Sequence, residues 1–216
     1  MNPDYLELYL VTDRRKLSDE EFLIRVEQAC TAGVTVVQLR EKEVTTADFY
    51  QLALKVKAIT DRYKLPLIIN DRIDICLAVD AAGVHIGDDE LPVWKARELI
   101  GSDKILGVSA KTVERSLIAQ SEGANYLGVG AIFPTQTKES TLVPLEEVRA
   151  IVEQTDLPIV AIGGINETTI QTISGMEVSG VAIVSEIMYA KSVSQKVVDL
   201  KSCVKKMKEG ELNEYQ

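Results

Sequence analysis

Apolar residues recur along the chain in two rhythms, and the switching between them predicts the architecture. Short runs rich in Val, Ile, Leu or Gly occupy 8–12, 36–40, 67–70, 84–87, 105–109, 126–129, 159–162 and 181–184. Runs this short that are apolar almost throughout mark strands covered on both faces, as in a parallel sheet. Between them the period lengthens to that of a helix. Phe49, Leu52, Ala53, Val56 and Ile59 make one apolar stripe, and Phe22, Val26, Ala29 and Cys30 make another. Ser18 and Glu21 have the spacing of a capping box, while Gly33 and Gly123 stand where helices should stop. Eight such units in 216 residues predict an α/β fold, a (β/α)8 TIM barrel near the lower size limit. A doubly wound open sheet is the alternative, but Val11-Thr12-Asp13-Arg14 after the first strand carries no glycine fingerprint. The pattern predicts one barrel domain, 1–204, and a polar tail, 205–216.

Composition narrows the function. A net charge of -9 and a pI near 4.8 exclude a general nucleic-acid binder, which needs a basic surface. No apolar run is long enough to span a bilayer, and the first residues lack the basic start of a signal peptide, so a cytoplasmic protein with no membrane partner is expected. Cys30, Cys76 and Cys203 form no C-x-x-C pair, so neither a zinc site nor a disulfide framework is expected. Cys30 and Cys76 read as small core residues.

Against that acidic background, cations gather at predicted strand ends. Alternation along 36–42 puts Gln38, Arg40 and Lys42 on one face and Val37, Leu39 and Glu41 on the other. Two cations and an amide on one face of a buried strand would cost several kcal/mol unpaired, a cost that a phosphate or pyrophosphate would remove. Asn70, Asp71, Arg72, the run Asp88-Asp89-Glu90, Ser109 and Thr135-Gln136-Thr137-Lys138 fall at the same rim. Asp71 with the acidic run offers hard oxygen ligands suited to Mg²⁺. Gly163-Gly164 and Ser185, after the seventh and eighth strands, match the common phosphate site of such barrels. His85 reads as a core residue and Trp94 as packing, and no histidine relay to Ser109 is evident.

These motifs resemble the thiamine-phosphate synthase family across nearly the whole chain. The resemblance rests on Tyr9-Leu10-Val11-Thr12-Asp13, Val37-Gln38-Leu39-Arg40-Glu41-Lys42, Ile69-Asn70-Asp71-Arg72 and Gly83-Val84-His85-Ile86-Gly87. It continues through Gly107-Val108-Ser109-Ala110, Phe133-Pro134-Thr135-Gln136-Thr137-Lys138 and Ile162-Gly163-Gly164-Ile165. It implies a Mg²⁺-dependent transferase that joins 4-amino-5-hydroxymethyl-2-methylpyrimidine diphosphate to a thiazole phosphate and releases pyrophosphate. Gln38, Leu39, Arg40, Glu41, Lys42, Asn70, Ser109 and Lys138 would then hold the pyrimidine diphosphate. Thr135, Gln136, Thr137, Gly164, Val184 and Ser185 would hold the thiazole phosphate, and Asp71 and Glu90 the Mg²⁺. Arg40, Lys42, Ser109 and Lys138 form the implied catalytic set.

Two positions depart from the family pattern. Asp88-Asp89-Glu90 replaces a Gln-Glu-Asp-like run, leaving Asp89 as an alternative to Glu90, and Lys111 stands where a histidine is usual. Rival readings are a thiazole tautomerase of the same fold and a non-catalytic sensor of phosphorylated ligands. The partners expected are small phosphorylated molecules, and a homo-oligomer is compatible with the sequence.

Overall fold

The computed structural model describes residues 2–15, 17–135 and 141–210. Among these, eight parallel strands close into a barrel in chain order: β1 (Leu8–Val11), β2 (Val36–Leu39), β3 (Leu67–Asn70), β4 (Gly83–Ile86), β5 (Ile105–Ala110), β6 (Tyr126–Val129), β7 (Ile159–Ile162) and β8 (Gly180–Ile183). The eight predicted strands are all present, with ends moved by a residue. Leu8 lies beside Val181 where the last strand meets the first.

Around the barrel stand α1 (Asp19–Ala32), α2 (Thr46–Arg62), α3 (Ile73–Ala78), α4 (Val93–Ile100), α5 (Val113–Ser121), α6 (Leu145–Gln154), α7 (Ser185–Met188) and α8 (Val193–Glu209). Both apolar stripes read from the sequence are buried. Full burial of a side chain such as Phe22 contributes roughly 1.5–3 kcal/mol. The Ser18 hydroxyl accepts from the Glu21 N–H, but the Glu21 carboxylate turns to Arg25, so only half of the capping box forms. Gly33 ends α1 at φ 113°, a left-handed conformation that a side chain would strain.

Strand alternation sorts the chain into two layers. Leu8, Val37, Ile69, Val84 and Leu106 face the helices, whereas Tyr9, Val36, Ile68, Tyr126 and Val160 fill the barrel.

Four expectations are corrected. The turn after β7 is a 3-10 helix (Thr169–Ile173) rather than an α-helix. Trp94 is half exposed, because its place on α4 faces away from the barrel and Lys95 lies over its ring instead. The boundary at 204 falls inside α8: Val204 and Met207 are buried, and the Ser174 hydroxyl donates to the Met207 carbonyl. The helix ends at Gly210, and 211–216 lie outside the described residues. His85 belongs to the barrel interior rather than the apolar core, since it shares the inward face of β4 with Gly83 and Gly87.

Candidate active site

At the carboxyl ends of the strands, inward-facing polar side chains replace the apolar filling. Gln38 at the end of β2 is only 5% exposed, and its amide nitrogen donates to the Tyr9 hydroxyl at 2.8 Å. Asn70 at the end of β3 is 8% exposed, and its side-chain amide makes no hydrogen bond among the described residues. A buried amide without a protein partner is costly unless a ligand or water completes it.

Arg40 continues the inward face of β2. Its N–H donates to the Thr12 hydroxyl at 3.1 Å, and its guanidinium has no carboxylate partner among the described residues. Lys42 forms an ion pair with Asp71. Asp71 sits at φ 63° and donates its N–H to the His85 carbonyl at 2.8 Å, which pins the carboxylate at the β3 end. Two cations and an anion thus meet where β2 and β3 open.

Asp71 and Glu90 retain the chemistry of a hard-cation site. Lys42 occupies one Asp71 oxygen, and the Gly87 N–H donates to one Glu90 oxygen at 2.7 Å. The second oxygen of each carboxylate makes no hydrogen bond among the described residues. Asp88 turns to Arg115 at 3.4 Å, and Asp89 is exposed. No group of three or more His, Cys, Asp or Glu side chains gathers around one point among the described residues. A donor set of two carboxylates suits Mg²⁺ that takes its remaining ligands from phosphate and water.

Other residues of the expected site are turned elsewhere. Leu39 is fully buried against the helices, because its parity on β2 is outward. Glu41 has the same parity. It pairs with Arg14 at 3.1 Å, and burial lifts its carboxyl above the usual range against the pull of that arginine. Arg72 pairs with Asp74 at 2.6 Å and reaches Thr46, so it does not join the cationic rim. Gln136, Thr137 and Lys138 lie outside the described residues; Thr135 closes the described part of the loop after β6.

The Gly163-Gly164 turn is explained by packing before any ligand is invoked. Both residues have positive φ, 97° and 65°. A Cβ on Gly163 would lie 2.5 Å from Ala131, and one on Gly164 would lie 2.5 Å from the Pro134 carbonyl. The glycines therefore let the loop after β6 lie against the end of β7. Val184 and the exposed Ser185 start α7, which is a single turn, so any anion there meets a few N–H groups rather than a long helix dipole.

The sequence reading missed a contact between neighbouring strands. His85 on β4 places Nε2 3.0 Å from the Ser109 hydroxyl, and its Nδ1 is 3.0 Å from the Tyr126 hydroxyl. The available signal was inward parity within each strand: His85 lies two residues from Gly83 and Gly87, Ser109 two from Gly107, and Tyr126 two from Gly128.

A closed parallel barrel with cations, carboxylates and glycine turns at its carboxyl rim defines an enzyme class acting on phosphorylated small molecules. The comparisons with known proteins specify the family. The thiamine monophosphate synthase family matches residues 8–187. A thiamine-phosphate synthase of Enterococcus faecalis is 60% identical over 204 residues, covering 94% of this chain and 97% of the relative. Another, of Lacticaseibacillus paracasei, is 55% identical over 95% of this chain and 97% of its own length. The solved thiamine phosphate pyrophosphorylase of Pyrococcus furiosus superposes with a TM-score of 0.86 at 35% identity, covering 95% of this chain and 98% of that one. A 3-hexulose-6-phosphate synthase, at 16% identity and a TM-score of 0.70, shares the fold alone. The chain belongs to the thiamine monophosphate synthase family, whose members are transferases of thiamine biosynthesis. No helix among the described residues is long and apolar enough to cross a membrane.

Proposed function

We propose that the chain joins 4-amino-5-hydroxymethyl-2-methylpyrimidine diphosphate to 4-methyl-5-(2-phosphoethyl)thiazole, or its carboxylated form, giving thiamine phosphate and pyrophosphate. The carrying observation is the inward Arg40 guanidinium, without a carboxylate partner among the described residues, at the strand end that also carries the Lys42–Asp71 pair. In an acidic protein, such a group calls for an anionic ligand.

The reaction breaks the bond between the pyrimidine methylene carbon and the diphosphate oxygen, and pyrophosphate departs with the electron pair. Arg40, Lys42 and Lys138 neutralise the charge growing on it. The 4-amino group feeds electrons into the ring and stabilises the methylene cation. The thiazole nitrogen then attacks, forming the new carbon–nitrogen bond. Thr135, Gln136, Thr137, Gly164, Val184 and Ser185 hold the thiazole phosphate, which keeps that nitrogen close. Asp71 and Glu90 hold Mg²⁺, which when bound supplies further positive charge to the diphosphate oxygens. Gln38, Asn70 and Ser109 orient the pyrimidine ring. Leu39 and Glu41 act from behind the strand, by packing and by the Arg14 pair. A thiazole tautomerase would have no diphosphate for Arg40 and Lys42 to meet.

Purified protein incubated with both substrates should release pyrophosphate and thiamine phosphate in equal amounts with Mg²⁺, and far less after chelation. Absence of both products with Mg²⁺ present would overturn the proposal.

A further inference from the structure

Arg40 and Lys42 stand beyond the end of their own strand. The ladder pairing of β2 stops at Gln38 on the β1 side and at Leu39 on the β3 side. Backbone past that point needs another anchor if its side chains are to be held to within about 0.5 Å of a working geometry. The segment after β1 supplies one. Thr12, fully buried, donates its N–H to the Gln38 carbonyl at 2.9 Å and accepts the Arg40 N–H on its hydroxyl at 3.1 Å. Two residues on, Arg14 converges two N–H groups on Glu41 Oε2, from Nε at 3.3 Å and from Nη2 at 3.1 Å. Its Nη1 bonds Asp19 in the first turn of α1.

An arginine only donates, so the direction of these bonds is fixed. The Glu41 side chain is 6% exposed, and a carboxylate so deeply placed is tolerated beside a cation and strongly disfavoured without one. Residue 41 stands between 40 and 42, and successive side chains of an extended chain point to opposite sides. Anchoring Glu41 behind the strand therefore turns Arg40 and Lys42 toward the barrel mouth. Arg14 does not reach that mouth itself. Two carboxylates engage its guanidinium on the outer side of β2, away from Arg40.

Building on the diphosphate reading above, we propose that Arg14 and Thr12 are positioning residues for the departing pyrophosphate. Thr12 holds the Arg40 backbone on one side and Arg14 holds Glu41 on the other, so that Arg40 and Lys42 are set in place before the diphosphate arrives. Such prearrangement spares the substrate the cost of ordering two long side chains, and it keeps their charge where the leaving oxygen gains its own.

The probe is inorganic pyrophosphate with Mg²⁺, titrated calorimetrically into the full protein, because it meets the two cations without a pyrimidine ring. Arg14→Gln should weaken its binding about tenfold while leaving the KM for the thiazole phosphate within about twofold. Thr12→Val, which keeps the shape and loses the acceptor, should weaken it about fivefold. In an Arg40→Ala protein the same change at Arg14 should cost no more than about threefold, because it acts through the missing cation. Should Arg14→Gln fail to fold, Arg14→Gln with Glu41→Gln, which leaves no carboxylate buried unpaired, takes its place. General loosening would raise the thiazole phosphate KM as much as it weakens pyrophosphate, and would overturn the positioning role. Parent-like pyrophosphate binding in a folded variant, or an equal loss with and without Arg40, overturns it as well. A parent that binds no pyrophosphate overturns the diphosphate reading instead.

Discussion

At the scale of single residues, charge placement decides what the rim can do. Arg40 has no carboxylate partner among the described residues, so Arg40→Ala should leave the melting temperature within a few degrees while lowering kcat about 10²–10³-fold, as steady-state assays would show. Asp13 plays the opposite part. Burial works against its charged form, but the hydrogen bonds and charge of Arg15 outweigh that and hold the carboxyl below its ordinary range. A lowered native pKa means that the pair stabilises the fold above the unfolded carboxylate value of about 3.9 and stops doing so as pH falls through the native value. Asp13→Asn should therefore cost more stability at neutral pH than at about pH 3, a difference that thermal melts at the two values would reveal. The alternation from Val36 to Lys42 was readable directly: Gln38 and Arg40 face inward as their parity requires. The partners of Glu41 and Arg72 were not, because Arg14 lies on another strand end and the Asp74 pairing depends on how α3 begins.

At the scale of elements, the strands were legible because burial on both faces leaves an apolar run that polar loops interrupt. The contact of His85 with Ser109 was hidden for a different reason. It depends on the β4–β5 register, His85 beside Gly107 and Ile86 beside Val108, which no local pattern encodes. The same register explains Gly107, whose missing side chain admits the Tyr126 ring. Gly107→Ala should destabilise the protein by about 1–3 kcal/mol or prevent folding, measured by urea denaturation, because a ring locked in the barrel has nowhere to retreat. The sequence reading placed Gly163-Gly164 in a phosphate cradle in preference to a simple tight turn. Their positive φ and the close approach of the loop after β6 supply a sufficient structural cause, so the phosphate assignment stands on the surrounding rim rather than on the glycines.

At the scale of the whole molecule, eight repeats of one unit made the architecture readable end to end, while the terminus of the last helix was misjudged. Its charged surface residues conceal a buried edge, with Val204 and Met207 one turn apart on the face toward the barrel. Ending the chain after 204 should therefore cost about 2–5 kcal/mol of unfolding free energy, comparable to emptying a large core position, and a urea midpoint would register it.

The meeting of Leu8 with Val181 has a consequence for biosynthesis. The first strand emerges from the ribosome with a bare edge on each side. The second strand covers one edge early, but the other waits for the final strand, some 170 residues of translation later. During that interval the nascent chain carries an exposed hydrogen-bonding edge at each end of a growing sheet, open to neighbouring chains. The 3-10 turn Pro3–Leu6 remains part of the reception: the Glu7 carbonyl accepts from the Val181 N–H at 3.1 Å, and Gly180 has no side chain to collide with the Leu6 carbonyl. Ring closure thus waits for the ribosome to deliver the eighth strand before the first can be sealed.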